Sequence, residues 1–280
     1  MSGKLIVVGT PIGNLSDFSP RAREALESAD FIAAEDTRVT VKLLNHFGIR
    51  KPMISYFEHN KYEKGDVICE RIGAGETCVL VTDAGMPAIS DPGELLVAQC
   101  AERALPVFVV PGPSAVISAL AVSGLPTGRF TFEGFLSVSK KSRREHLEEL
   151  KTERRTMVFY EAPHKLASTL ADMAEAWGGG RRVALARELT KIHEEVIRTT
   201  LARAADRYVG ETPRGEFVLV IEGAPEPKQA ESSAADALKL AREYLGQGLS
   251  APEAAKRAAA ETGRRKNELY RDLTHGSGKD

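Results

Sequence analysis

Over the first 125 residues the apolar positions fall in short unbroken runs rather than in strict alternation. The runs are Leu5–Val8, the "FIAA" inside Asp30–Asp36, the "CVLV" opening Cys78–Gly85, and the "VFVV" inside Pro106–Ala115. Each ends in a loop rich in glycine, proline or acid, and a segment of helical periodicity follows. A strand apolar on both faces is buried on both faces, so this rhythm predicts a mainly parallel sheet with helices on either side. Helix starts are marked by Ser19 before Pro20 and by Asp91-Pro92-Gly93-Glu94. A further helix is expected from the end of "VPGPSA" to Val122, with Gly124 just beyond it.

Around 125–129 the pattern changes. "RFTFEGFL" reads as an extended connector, "TMVFYEA", "RRVALARELT" and "EFVLVIEG" as strands, and "HKLASTLADMAEAWG" and "TLARAADRYVG" as helices. "APEPKQAESSA" (224–234) is polar and proline-bearing, the composition of a linker. Beyond it, Ser250-Ala-Pro-Glu253 has the form of a capping box, Thr262-Gly263 of a turn, and "RRKNELYRDL" of a helix that starts with three cations. The expected organisation is an N-terminal α/β domain over 1–125, a second α/β domain over 130–224 and a small helix-turn-helix-like tail over 235–275.

Composition changes this picture little. The 280 residues are 42% hydrophobic and 28% charged, as in a globular protein, with length for one large domain or two ordinary ones. No apolar run approaches the roughly 20 residues that span a bilayer, and Leu5 follows the start too closely for a secretory leader, so neither membrane nor signal peptide is expected. Cys69, Cys78 and Cys100 stand apart without a CxxC pair. That argues against a zinc site or a disulfide framework and predicts small buried thiols in a reducing, cytoplasmic setting, with no metal. Net charge is −1, so contact with nucleic acid has to come from local patches.

The chemistry lies in the loops. GTPIGN, AEDTR, TDAGMPAISDPG and VPGPSA all follow the carboxyl ends of predicted strands, where open α/β sheets bind ligands. A Walker loop needs a lysine that is absent here, and Gly9 and Gly13, with Pro11 between them, do not make the Rossmann fingerprint. One Rossmann feature survives, the acids Glu35 and Asp36 at the end of the second strand, where a ribose partner sits. VPGPSA opens a helix whose free N–H groups favour an anion such as a carboxylate. Adenosine with an amino-acid carboxylate and no phosphates describes S-adenosylmethionine. A nicotinamide dehydrogenase is disfavoured by the missing fingerprint.

The chain resembles the tetrapyrrole-methylase (class III methyltransferase) superfamily, and within it the branch that modifies ribosomal RNA. The residues carrying the resemblance are Val8-Gly-Thr-Pro-Ile-Gly-Asn-Leu15, Ala34-Glu-Asp-Thr-Arg38, Ser55-Tyr-Phe-Glu-His-Asn60, Thr82-Asp-Ala-Gly-Met-Pro-Ala-Ile-Ser-Asp-Pro-Gly93 and Val110-Pro-Gly-Pro-Ser-Ala115. It covers about residues 4–224 and extends to the tail. It implies two α/β domains with S-adenosylmethionine in the cleft between them, a homodimer, and 2′-O-methylation of a cytidine ribose in small-subunit (16S) ribosomal RNA near the decoding centre. It also implies cofactor contacts from Pro11, Asp83, Ala84, Gly85, Ala88, Ser114, Ala115, Tyr160, Glu161, Leu189 and Thr190. Corrin and porphyrin methylases typically carry a GGDP-type third loop; TDAGMPAISDPG in its place turns the expectation from tetrapyrrole to RNA.

A ribose hydroxyl is weakly acidic, so a base should assist its attack. Asp36 is the leading candidate by its position at a strand's carboxyl end, with Glu35 and His59 behind it. Arg38 and Asn60 are expected to orient phosphate or sugar, and Arg264, Arg265 and Lys266 to contact phosphate from the tail. Lys140-Lys141…Arg143-Arg144 is a weaker candidate, because charge runs are usually solvated helix faces. The competing functions are a tetrapyrrole or other small-molecule methylase, against which the basic tail speaks, and a non-catalytic RNA-binding assembly factor, against which the intact cleft loops speak.

Overall fold

The computed structural model describes residues 3–211, 213–226 and 233–275. The chain divides between Ala224 and Pro225 into two compact units.

The first unit contains two sheets. In the first, β1 (Lys4–Val8), β2 (Phe31–Ala34), β3 (Met53–Ser55), β4 (Thr77–Val81) and β5 (Val107–Val110) lie in the order β3-β2-β4-β1-β5. Every pairing is parallel. Between the strands run α1 (Pro20–Ser28), α2 (Thr37–His46), α3 (Lys61–Gly73) and α4 (Gly93–Glu102), and α5 (Ala115–Val122) follows β5. Ile6, Val8, Ile32 and Val79 pack with Leu26 of α1 and Leu44 of α2. Leu5, Val7, Phe31 and Leu80 pack on the other face with Ile68 of α3 and Leu96 of α4. Neighbouring residues of one strand thus enter two different cores, which is why the runs are unbroken. The three cysteines are buried free thiols of the second of these cores. Ser19 caps α1, its Oγ accepting from the Ala22 N–H at 3.1 Å, with Pro20 in the first turn. β3 had no counterpart in the sequence reading; three half-buried residues make too short a signal.

The second sheet is mixed. β6 (Phe130–Phe135), β7 (Thr156–Glu161), β8 (Arg182–Arg187), β9 (Glu195–Thr200) and β10 (Phe217–Ile221) take the order β6-β7-β10-β8-β9. Only β6 and β7 run parallel. The expected connector "RFTFEGFL" is in fact the edge strand β6, with a register irregularity between Phe132 and Gly134. One face is covered by α6 (Lys140–Glu149), α7 (Leu166–Trp177) and α8 (Leu201–Arg207), through Leu147, Leu170, Met173 and Leu201. The other face is covered by α5, whose Val116, Ala119 and Leu120 pack on Val158, Ala184 and Val218. The helix that closes the first sheet's sequence therefore packs on the second sheet. The basic run before α7 is also corrected. Arg143 is buried, its Nε donating to Asp172 Oδ2 at 2.8 Å, and Arg144 pairs with Asp172 and Glu175, so both arginines fasten α6 to α7.

The second unit is a bundle of three helices: α9 (Ala234–Gly246), α10 (Ala251–Thr262) and α11 (Lys266–His275). Its core is Ala237, Ala241, Ala254, Ala255, Ala258, Leu269 and Leu273. The tail thus has one helix more than the two-helix motif expected. Ser250 precedes α10, but its hydroxyl donates to the Glu253 carboxylate at 3.2 Å instead of accepting from a backbone N–H, so the capping box is incomplete. Gly263 ends α10 with φ 70°, the left-handed conformation that glycine adopts without strain. Of the expected linker, residues 227–232 lie outside the described residues.

Candidate active site

The loops after β1, β4 and β5 are tied together above the first sheet. Thr10 and Gly85 exchange two backbone hydrogen bonds, of 2.9 and 3.1 Å, and Thr10 Oγ1 donates to the Thr82 carbonyl at 3.2 Å. Gly9 and Gly112 touch backbone to backbone. A Cβ on Gly9 would stand 2.7 Å from Gly112 Cα, and one on Gly112 would stand 2.8 Å from Gly9 Cα, so neither position admits a side chain unless the loops shift. The loop after β4 holds Ala88 and Ser90 at φ 67° and 73°. Asp91 fixes it, its carboxylate accepting from the N–H groups of Ala88 (3.0 Å), Ile89 (3.2 Å) and Gly93 (2.8 Å). Helix α4 has Pro92 at its N-cap, not Asp91 as the sequence suggests, and the Gly93 N–H that Asp91 accepts from ties the loop to the helix start. Strain of this kind persists only where the surroundings over-determine it, and it clusters at functional sites.

These loops form one side of a cleft of about 380 Å³ whose other side is the second sheet. Ile12, Ala84, Gly85, Met86, Ser114 and Ala115 come from the first side; Phe135, Tyr160, Glu161, Ala186, Leu189 and Val218 face them. Four carboxylates line it, those of Glu35, Asp91, Glu161 and Glu216, and among the described residues no lysine, arginine or histidine does. Such a lining favours a ligand that carries positive charge and no phosphate.

Each acid is held differently. Glu35 accepts a short hydrogen bond from the Thr82 hydroxyl. Glu161 is buried and accepts from the Ala162 N–H at 2.8 Å and from the Thr169 hydroxyl at 2.5 Å. Burial pushes the Asp91 carboxyl up despite its three N–H donors, and burial likewise pushes up the Tyr160 phenol. Glu216 is paired with Lys191 Nζ at 2.8 Å, and Lys191 also holds Glu188 at 2.9 Å. The β8–β9 loop is braced by this lysine while Glu188 and Thr190 sit at φ 50° and 65°.

The cleft brings together Ala84, Gly85, Ser114, Ala115, Tyr160, Glu161 and Leu189 of the expected cofactor residues, and Glu35 of the expected catalytic ones. Pro11, Asp83, Ala88 and Thr190 sit in the same loops without lining it. Asp83 accepts from the Asp36 N–H at 3.1 Å, and its carboxyl is raised by burial and then by the nearby Glu35 charge. Thr190 Oγ1 is a buried oxygen without a partner, close to Gly13. Asp36 lies outside the cleft as the N-cap of α2, accepting from Arg38 N at 2.8 Å. The Arg38 side chain grips both Asp36 oxygens, at 3.0 and 2.7 Å, and these bonds hold the carboxyl down to about 2. His59 is exposed, edge-on to Phe57. Asn60, expected to orient RNA, spends its amide inside the β3–α3 loop: Oδ1 accepts from Phe57 N at 2.9 Å and Nδ2 donates to Ser55 O at 3.0 Å. In the tail, Arg264 and Arg265 precede α11 and Lys266 opens it.

Sequence reasoning missed Asp91 and the Glu216–Val218 edge of the cleft. In the sequence Asp91 carries only the signature of a helix start. Glu216–Val218 open a recognised strand, but that strand's neighbours, β7 and β8, are distant in sequence. Among the described residues no group of three or more His, Cys, Asp or Glu is placed to hold a metal ion, and no helix is long and apolar enough to cross a membrane.

Residues 4–205 match the family model of the tetrapyrrole (corrin/porphyrin) methylases. Ribosomal RNA small subunit methyltransferase I of Synechocystis sp. is 47% identical over 271 residues, covering 96% of each chain. The protein of the same name from Thermotoga maritima is 47% identical over 221 residues, covering 79% of this chain and 99% of its own. Among solved structures, uroporphyrin-III C-methyltransferase from Thermus thermophilus, in complex with S-adenyl homocysteine, superposes with a TM-score of 0.53 at 18% identity over 78% of this chain and 96% of its own, a likeness of fold.

Proposed function

Because the chain belongs to the tetrapyrrole methylase family, and its near full-length relatives are ribosomal RNA small subunit methyltransferases I, we propose that it moves a methyl group from S-adenosylmethionine to the 2′-oxygen of a cytidine ribose in small-subunit (16S) ribosomal RNA, near the decoding centre. The observation that carries the donor assignment is the cleft lining: four carboxylates, an apolar floor and no cation. A bound donor supplies a methyl group on positively charged sulfur, already activated toward an oxygen nucleophile.

The chain's own work is placement and proton handling. Ala84, Gly85, Ser114, Ala115 and Leu189 pack on the donor, with Tyr160 and Glu161 opposite, while Pro11, Asp83, Ala88 and Thr190 support the loops that carry these contacts. Holding the two reactants aligned is worth on the order of 7–11 kcal/mol at best. Glu35 is the favoured base, since it lines the cleft and the Thr82 hydroxyl orients its carboxylate. It accepts the ribose hydroxyl proton as the oxygen attacks. Asp36, clamped by Arg38, is a weak proton acceptor and serves to shape the start of α2. His59 stands in reserve on the same edge. Arg38, Arg264, Arg265 and Lys266 contact phosphate, and Asn60 acts through the loop it braces.

The protein works in the cytoplasm as a homodimer. Phe108 and Val109 of the edge strand β5 are each 56% exposed, an apolar edge that a second copy would cover. The test incubates the protein with labelled methyl donor and small ribosomal subunits lacking the modification. Label on one cytidine ribose is expected. Label on a tetrapyrrole alone, or none anywhere with tight RNA binding, would replace the proposal by one of its rivals.

A further inference from the structure

We propose that the segment joining β3 to α3, together with the first turn of that helix, is a stacking platform for an unpaired nucleotide of the RNA substrate, with Phe57 and Tyr62 offering ring faces. This rests on the function proposed above and names how its substrate is gripped.

The segment is placed by the sheet. β2 and β3 pair in parallel with Ala34 opposite Ser55, and the Tyr56 N–H donates to the Ala34 carbonyl at 2.8 Å. Phe57 therefore leaves the sheet beside the Glu35–Arg38 loop, at about the 5 Å spacing of adjacent strands. Tyr56 is buried, and its hydroxyl donates to Pro92 O at 3.2 Å, pinning the segment to the knotted loop that walls the cleft. The two hydrogen bonds of the Asn60 amide lock the turn. Rigidity of this order serves presentation, because ring faces held in place lose little entropy when a ligand covers them.

What the segment presents is aromatic. Phe57 is 38% exposed, with the His59 ring edge-on at 6.0 Å, and Tyr62 is 67% exposed, with Lys61 Nζ over one face of its ring at 5.6 Å. The charges around them cancel: Lys61 pairs with Glu58, Lys64 with Glu63, and Arg38 with Asp36. Attraction to phosphate is thus not the segment's main contribution, and the ring faces are. Unpaired RNA bases are recognised by stacking on aromatic side chains, at about 1–3 kcal/mol per base. A second copy of the chain is the other conceivable occupant. The apolar edge proposed to meet that copy is β5, at the far side of the sheet from β3.

The test uses the full chain and unmodified small subunits. Phe57→Ala and Tyr62→Ala should each raise the KM for subunits by about 5-fold to 150-fold, the range equivalent to one lost stack, with donor affinity unchanged. Phe57→Trp should restore the wild-type KM and Phe57→Leu should not, because stacking needs a π face and packing needs only bulk. The chain's one native tryptophan, Trp177, is buried in the second sheet's core. Emission from the indole added by Phe57→Trp should therefore change when ribosomal RNA is added, whether or not turnover occurs. An unchanged KM in both alanine variants, rescue by leucine equal to that by tryptophan, or an RNA-silent indole would overturn the proposal. So would loss of the dimer in Phe57→Ala, which would make the patch a protein interface. Failure of the wild-type protein to label subunits would instead count against the function itself.

Discussion

The two acids that end β2 are chemically alike and differently situated. Asp36 gives both oxygens to the Arg38 guanidinium, and its carboxyl falls to about 2; Glu35 faces the cleft with the Thr82 hydroxyl on one oxygen. Glu35→Gln should lower the single-turnover rate by about 100-fold or more, as loss of a general base does. Asp36→Asn should stay within a few-fold of wild type, since asparagine caps a helix as well as aspartate. The two proteins should also differ in acid. A folded carboxyl held below its unfolded value of about 3.9 contributes stability above that value and loses it as pH falls toward about 2. Thermal melts should show the gap between wild type and Asp36→Asn close over that interval. At the crossing of loops, Gly9→Ala or Gly112→Ala sets a Cβ within 3 Å of backbone. About 1–3 kcal/mol of stability should be lost, read as a lower Tm, and donor affinity should fall with it. The loops that hold Ala84, Gly85, Ser114 and Ala115 were legible as ligand loops because each follows an unbroken apolar run, but the four residues themselves came through family resemblance. For Tyr160, Glu161 and Leu189 not even the loop was singled out by pattern, and the resemblance alone reached them. Glu216 could not be read at all, because its approach to the cleft depends on β10 lying between β7 and β8.

Elements were legible where burial was complete. β1, β2, β4, β7, β8 and β10 each carry a run that two-sided or deep burial demands, β5 carries such a run although its Phe108 and Val109 lie exposed at the sheet edge, and β6 is an edge strand of mostly half-buried residues that passes for a connector. The basic run at 140–144 misled for the opposite reason. Sequence shows charge and not its partner, and Asp172, which neutralises Arg143, lies 29 residues on. Burial works against the Asp172 carboxylate, yet the bonds from Arg143 and Arg144 hold its carboxyl below the usual range. Asp172→Ala would leave the Arg143 charge buried without its partner. Loss of one member of such a pair costs about 3–5 kcal/mol, so thermal unfolding should come at a markedly lower temperature. Arg143→Lys should restore little of the geometry, because the guanidinium also donates to Ser137 O.

For the whole molecule, the division after Ala224 makes the tail separable. The T. maritima relative is accounted for almost entirely by 221 aligned positions, so it does without about a fifth of this chain's length. A chain ending at Ala224 should bind donor as the full chain does. Its KM for small subunits should rise, and the salt dependence of that KM should flatten as the phosphate contacts proposed for Arg264, Arg265 and Lys266 are lost. In the first unit, Val109→Lys should shift sedimentation from dimer to monomer if the β5 edge is covered by a second copy.

Helix α5 constrains how such a molecule can be recombined. It grows out of the first sheet's last strand, carries Ser114 and Ala115 at its head, and is seated on the strands of the second sheet. A chimera spliced at 125–130, where the sequence changes style, would lay foreign strands beneath a native helix and leave an interface neither parent had tested. Splicing at 111–114 lets the helix travel with the strands it covers, so exchange of halves between homologues should yield working hybrids there and misfolded ones a dozen residues later.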